Sequence, residues 1–463
     1  MSIKLFNTLY FILLIKRSII DFMALKTFID VEEFLDSFSY IDKSNPPGLI
    51  RKSRLERMVG LLNWIGNPQE SFRSIHLAGS KGKGSTATFI STLLEAKGYK
   101  AGLYLSPHVS DFRERFTLAG SYFSDDFYIL VANKLQTLVE GYKNDSSLGQ
   151  EKPTTFEMYT AYSYLLFKEY GCDYCVIETG LGGRLDATNT LNSIASVITP
   201  IELEHTSVLG DSVEKIAIEK SKIIKESQIV FSSKQDKEAL SVIKKECSNQ
   251  NSTLYTFDDN ILDFSSIISE KGERVSFTLN DKKYDLQLSV FTEKQGENVA
   301  LAILVADKLG FLSDEGIKRI EKATIKGRFT RLKVNNVDVV IDVAHTQKSI
   351  LDTVETFKTI FNASTVIFGA VEGKDITHML KILLDSFSHL IISQPGTFKK
   401  SDIEEIFKIA KEINPNKDIK LIKDNEEALS YAIDRKAPIL ITGSFYLAGP
   451  MINILEDKYG VKC

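Results

Sequence analysis

The segment Ile75-His-Leu-Ala-Gly79-Ser-Lys-Gly82-Lys83-Gly84-Ser85-Thr86 passes from a short apolar run into a glycine-rich turn and on into a helical stretch, Ala87 to Leu94. Such a layout cradles phosphate: glycines let successive backbone N–H groups converge on an anion, and the helix that follows adds the positive end of its dipole. A lysine supplies a point charge to the outer phosphates, and Lys83 is the candidate. The spacing is tighter than the widespread G-x-x-x-x-G-K-[ST] form, because Gly79 stands only three residues ahead of Gly82. Phosphate binding is the favoured reading, and a plain flexible loop is its rival.

Three further residues have types suited to work beside a phosphate. Glu178 ends an apolar run and opens Thr179-Gly-Leu-Gly-Gly-Arg-Leu-Asp-Ala-Thr-Asn189, where it is placed either to hold magnesium through hard oxygen ligands or merely to cap a strand. His205, one of six histidines, follows another apolar run and is by itself an ordinary loop residue. Lys220 falls on the apolar stripe formed by Val213, Ile216, Ala217, Ile223 and Ile224 at helical spacing. A desolvated lysine is pushed toward its neutral form, and a neutral amine reacts with carbon dioxide to give a carbamate anion. The competing reading has Lys220 reaching along the edge of the stripe to solvent.

The elements that must position these groups are legible as apolar runs alternating with helix-period segments, the signature of a parallel sheet with crossover helices. Ile75 to Ala78 ends at the glycine loop, Ala101 to Leu105 at Ser106, Tyr174 to Ile177 at Glu178, and Ala195 to Ile201 leads to His205. Ligands of open parallel sheets sit beyond the carboxyl ends of the strands, so these groups are expected along one edge. Between Val275 and Val290 the period changes to two around Asn280-Asp281, which predicts an antiparallel hairpin. A helix from Gly296 to Leu309 and a linker at 322–329 follow. A second α/β set then carries strands at Val337 to Ile341, Thr365 to Phe368, His389 to Ile392 and Pro438 to Ile441.

At 463 residues two domains are expected. With 43% hydrophobic and 25% charged residues the chain has the composition of a soluble globular protein. A formal net charge of -4 argues against a nucleic-acid partner. Cys172, Cys175, Cys247 and Cys463 form neither a disulfide ladder nor paired zinc-ligand spacings, which suits a reducing compartment, the cytoplasm. The lone Cys172–Cys175 pair reads as filler at a strand edge. Leu5 to Ile15 is apolar apart from Asn7 and Thr8 but too short to span a bilayer, and no small-residue cleavage site follows it. Residues 1–22 are therefore expected to be an extension or a misassigned start ahead of Met23 and an amphipathic segment, Phe28 to Phe38, with no stable membrane association.

Taken in series, the motifs identify a family. Gly66-Asn-Pro, His76-Leu-Ala-Gly-Ser-Lys-Gly-Lys-Gly-Ser85, Leu105-Ser-Pro-His108, Arg113-Glu-Arg115, Thr155-Phe-Glu157, the Glu178 to Asn189 run, His205 with Leu209-Gly210, and Ile216-Ala-Ile-Glu-Lys220 come in order. Gln295 with Asn298, Gly327-Arg328, Asp342 with Ala344-His345, Lys374-Asp375 and Thr442-Gly-Ser-Phe-Tyr446 complete them. The chain from residue 24 onward resembles the folylpolyglutamate synthase and dihydrofolate synthase family of the Mur ligase superfamily. The resemblance implies an α/β fold with a P-loop-containing ATP-binding domain at 23–321, mainly parallel with a small antiparallel hairpin. It implies a C-terminal Rossmann-like glutamate-ligase domain at 330–463.

It also implies roles. Gly82, Lys83, Gly84 and Ser85 would bind the phosphates of ATP, with Asn298, Arg328 and Asp342 as further nucleotide contacts. Ser106, Glu178 and His205 would ligate Mg2+, with Lys220 as a carbamylated lysine. Thr154 and Leu185 would line the pterin pocket, and His345 and Ser444 the region receiving L-glutamate. The acceptor would be a reduced folate or dihydropteroate, and the protein a monomer. Lys83, Lys220, His205 and Arg328 would carry the catalysis, in which the acceptor carboxylate takes the γ-phosphate and glutamate displaces phosphate from the acyl phosphate. The chain departs from the family pattern at Glu204, where Asp is usual, at Ser221-Lys222, and at Thr346-Gln347 beside His345. Rival readings are a Mur-type ligase for another carboxylate, a P-loop ATPase switch, and a folate binder without ligase activity.

Overall fold

The structure is a computed structural model and describes residues 24–38, 53–148, 151–291, 293–362, 364–396 and 400–461. The expectation for residues 1–22 lies outside them. Among the described residues no helix is long and apolar enough to cross a membrane.

The first sheet contains β1 (Arg73–Ala78), β2 (Ala101–Tyr104), β3 (Phe116–Leu118), β4 (Tyr174–Glu178), β5 (Ala195–Ile198), β6 (Ile229–Ser232) and β7 (Thr253–Thr256) in the order β3-β2-β4-β1-β5-β6-β7. Every pairing is parallel except that of the edge strand β3 with β2. Strands β2, β4 and β5 are buried on both faces, as continuous apolar runs in a helix-covered parallel sheet must be. Cys175 therefore packs in an interior strand and not at a sheet edge. One face is covered by the helices Lys83–Ala96 and Glu293–Lys308 and the other by the aromatic-rich helix Thr155–Tyr170. The helix after the glycine loop begins at Lys83, earlier than the apolar pattern indicates, because its first turn is the polar part of the loop itself.

The expected hairpin is real and larger than expected. β9 (Gly272–Leu279) and β10 (Lys282–Leu288) turn through Asn280 and Asp281, whose φ values of 46° and 62° are those of a two-residue type I′ turn. A third strand, β8 (Leu262–Ser269), adds to β9 with a register shift between Leu262 and Ser265, and this irregularity hides its period from the sequence.

The third sheet contains β11 (Thr330–Val334), β12 (Val337–Ile341), β13 (Thr365–Phe368), β14 (His389–Ile392), β15 (Asp418–Leu421) and β16 (Ile439–Thr442) in the order β11-β12-β16-β13-β14-β15. The sequence pattern yields its four inner strands but not β11 and β15. These two are edges, and edge strands carry charged residues, here Arg331, Lys333, Asp418 and Lys420, that dilute the apolar signal.

A buried ion pair anchors the start of the helix Thr155–Tyr170. Arg57 donates Nη2 to Glu157 Oε1 at 2.9 Å, and Glu157 closes a capping box with Thr154. Both charged side chains are almost fully buried, at 0% and 2% exposure. Arg57→Ala leaves the Glu157 carboxylate buried without its guanidinium and is expected to cost about 3–5 kcal/mol of unfolding free energy. Urea denaturation measures this, and the double variant Arg57→Met/Glu157→Gln should recover much of the loss.

Candidate active site

β1 delivers Ala78 and Gly79 to the edge of the sheet, and the chain turns through Gly82 into the helix starting at Lys83. Gly82 has φ 79°, and a Cβ there would lie 2.5 Å from Asn298 Oδ1, so only glycine fits. Asn298 and Gln295, from the helix Glu293–Lys308, brace the loop from outside. Gln295 Nε2 donates to Ser85 Oγ at 3.2 Å, Thr86 Oγ1 donates to Asn298 Oδ1 at 3.3 Å, and Asn298 Nδ2 donates to Gln295 Oε1 at 3.1 Å.

Around this loop the tertiary structure gathers charges from distant parts of the chain. Lys83 Nζ donates to the Gly79 carbonyl at 2.9 Å and stands 3.9 Å from Glu178 Oε1. Glu178, at the end of β4, accepts the Ser106 N–H at 3.1 Å. Its burial raises its pKa above the ordinary carboxylate value, an effect that Lys83, the Ser106 N–H and Arg328 only partly offset. Lys220 does not reach solvent along its helix edge: it is 1% exposed, and Nζ donates to the Gly79 carbonyl at 2.6 Å and to Glu204 Oε1 at 2.7 Å. Burial first, and then the charge of Lys83, lower its pKa to about 8.

His205 sits in left-handed backbone conformation, φ 47°, at the start of the short helix Thr206–Leu209. That is an uncommon geometry for a non-glycine residue, of the kind found where function fixes the backbone. Burial lowers its pKa, so the imidazole is biased toward the neutral form that ligates metals. The 179–189 loop docks onto the helix carrying Lys220, with Arg184 donating its N–H to the Glu219 carbonyl and its guanidinium to the Glu219 carboxylate. This contact ties the loop that follows Glu178 to the helix that carries Lys220.

A second group comes from beyond the 322–329 segment. Arg328 and His345 flank the Phe445 ring, the guanidinium 5.4 Å and the imidazole 5.7 Å from its centroid. Ser444 caps the helix Phe445–Tyr459 by accepting the Tyr446 N–H. His345 Nδ1 lies 2.9 Å from the Val343 carbonyl, a contact that fixes the ring, and burial lowers its pKa. Thr346 caps the helix Gln347–Ile360 in a box with Ser349, so this departure from the family pattern serves a structural end. Asp342 accepts the N–H groups of Phe329 and Ala344 and the Thr353 hydroxyl, which makes it a brace for the Arg328 segment.

Thr154 and Leu185 have structural placements of their own. Thr154 is an N-cap whose hydroxyl accepts the Glu157 N–H, and Leu185 is half-buried in the 179–189 loop. The sequence pattern alone marks neither Glu204, the carboxylate partner of Lys220, nor Gln295, the brace on Ser85, as a site residue. The signals that could find them are adjacency to His205 and the three-residue spacing from Asn298 on a helix.

Residues 77–306 match the Mur ligase middle domain, and residues 327–445 the Mur ligase glutamate ligase domain. The chain is 33% identical over 408 residues to a dihydrofolate synthase/folylpolyglutamate synthase of Bacillus subtilis, covering 85% of this chain and 93% of that protein. The chain belongs to the folylpolyglutamate synthase and dihydrofolate synthase family of Mur ligases. Membership makes it an ATP-dependent ligase. Its fold superimposes on a Mycobacterium tuberculosis folylpolyglutamate synthase complexed with ADP at a TM-score of 0.82, with 26% identity over 94% of this chain and 98% of the other. A folylpolyglutamate synthase in complex with AMPPCP and folate gives a TM-score of 0.75 at 26% identity over 93% of this chain and 100% of the other.

The family implies a magnesium ion. Among the described residues no three His, Cys, Asp or Glu side chains form a ready-made cluster. The residues are nevertheless of the right kind: the buried Glu178 carboxylate, Ser106 whose N–H already reaches it, and the His205 imidazole, which burial biases toward its neutral form. Magnesium keeps water and phosphate ligands, so a sparse protein set suits it.

Proposed function

We propose that the chain joins L-glutamate to the carboxylate of a folate-type acceptor, a reduced folate, dihydropteroate or both, through an acyl phosphate. What most supports this reading is the meeting of Lys83 and Lys220 at the Gly79 carbonyl, with Glu178 3.9 Å from Lys83 and within electrostatic reach of Arg328 from across the linker. Ser106, Glu178, His205 and a carbamylated Lys220 would hold Mg2+, which when bound supplies charge neutralisation on phosphate oxygens.

The residues of the chain do the rest. The glycine loop N–H groups and Lys83 bind the phosphates, and Lys83 neutralises charge that grows on the transferred phosphoryl group. Arg328 completes the site from the far side of the 322–329 linker, so that residues 23–321 and 330–463 act as two units whose closure excludes water from the acyl phosphate. Asn298 and Asp342 contact the nucleotide, Thr154 and Leu185 line the pteridine pocket, and His345 and Ser444 receive glutamate. The desolvation that lowers the Lys220 pKa to about 8 raises the fraction of free amine available to carbon dioxide. The protein works as a cytoplasmic monomer.

The test is Mg-ATP-dependent phosphate release by the full chain, with and without glutamate, using dihydropteroate and tetrahydrofolate as separate acceptors and mass analysis of products. Glutamate-dependent release, with a product one glutamyl unit heavier, is expected. Release that ignores glutamate and acceptor would instead indicate an ATPase switch, and acceptor binding without release a degenerate binder.

A further inference from the structure

The three-stranded sheet β8–β10 carries none of the groups assigned to the reaction, yet it holds a fully buried carboxylate. Glu273, the second residue of β9, is 0% exposed. Its two oxygens each accept the N–H of Gly296 at 3.0 Å, and Oε1 also accepts the Ser266 hydroxyl at 2.6 Å. Gly296 lies in the first turn of the helix Glu293–Lys308, where the helix dipole favours a negative charge. The approach is close: a Cβ at Gly296 would lie 2.5 Å from Glu273 Oε1 and 2.6 Å from Val275 Cγ2.

The same end of the helix presents Gln295 and Asn298, both 5% exposed, to Ser85 and Thr86 of the phosphate loop. The contacts therefore run without a break from Ser266 and Glu273 through Gly296 to Gln295 and Asn298, and on to the loop. We infer that Glu273 is a positioning residue for nucleotide binding: the antiparallel sheet clamps the first turn of the helix Glu293–Lys308 and so sets Gln295 and Asn298 against the phosphate loop. The inference rests on the reading that ATP binds at this loop. Glu273→Gln puts an amide nitrogen, a donor, in place of one of the two oxygens that accept the Gly296 N–H, so it loosens the turn without emptying the space.

The experiment is isothermal titration of the full chain with ADP, paired with separate KM values for ATP and for the acceptor. Glu273→Gln is expected to weaken ADP binding about five- to tenfold and to raise the ATP KM by the same factor. The acceptor KM should stay at the wild-type value. A folded Glu273→Gln chain with wild-type ADP affinity would overturn the inference. So would a parallel rise in the ATP and acceptor constants, since that is the mark of a general loss of order. Should Glu273→Gln not fold, Ser266→Ala removes one donor from the same carboxylate at a half-buried site. It is expected to weaken ADP binding about twofold, and unchanged affinity there overturns the inference as well. A wild-type chain that does not bind ADP would instead strike at the nucleotide reading itself.

Discussion

Lys220→Ala is expected to reduce glutamate-dependent phosphate release by about 10²–10³-fold or to background while leaving a folded protein. The fold should tolerate the change, because both partners of the ammonium keep other means of satisfaction. The Gly79 carbonyl retains Lys83 at 2.9 Å, and the Glu204 side chain is 26% exposed and can turn to water. The site should not tolerate it, since no other side chain brings a nitrogen to this point of the loop from the helix Val213–Ser221. Carbon-13 NMR of the wild-type chain in labelled bicarbonate should show a carbamate carbon that Lys220→Ala lacks. Full turnover by Lys220→Ala would remove the role assigned to this lysine.

Lys83→Ala should cost a similar factor, about 10²–10³ in kcat, because it removes the cation beside the buried Glu178 carboxylate and, on the proposed mechanism, the charge that acts on the transferred phosphoryl group. Two effects combine. Glu178 loses the charge that does most to counter its burial, so its pKa rises further above the ordinary carboxylate value. On the proposed mechanism the transferring phosphoryl group also loses the charge of Lys83. Lys83→Arg should rescue poorly, since a planar guanidinium does not replace a compact ammonium in a loop where Nζ lies 2.9 Å from the Gly79 carbonyl. Steady-state phosphate release and melting temperature, measured on both variants, separate a catalytic loss from unfolding. Wild-type kcat in Lys83→Ala would overturn the assignment.

Local signals made the phosphate loop and the inner strands legible. A fully covered parallel strand must be apolar on both faces, so Tyr174 to Ile177 and Thr365 to Phe368 announce themselves without any partner. Asn280-Asp281 likewise marks a turn by chemistry contained in two residues. Edge strands β11 and β15 were hidden because solvent-facing charge is what keeps an edge from pairing. β8 was hidden by its register shift, which breaks the period of two.

The site divides along the same line. Sequence by itself determined that a glycine loop with Lys83 precedes a helix, that Glu178 ends a strand, and that Lys220 shares a helix face with apolar residues. All of these depend on neighbours within a few positions. Whether Lys220 runs to solvent or turns inward was undecided there, because desolvation is a property of what packs against a helix from elsewhere. Only the tertiary structure brought Lys220 to the Gly79 carbonyl and to Glu204, set Gln295 against Ser85, and placed Arg328 within reach of Glu178. Side chains far apart in the chain acquire shifted pKa values and shared hydrogen bonds only when folding removes the water between them.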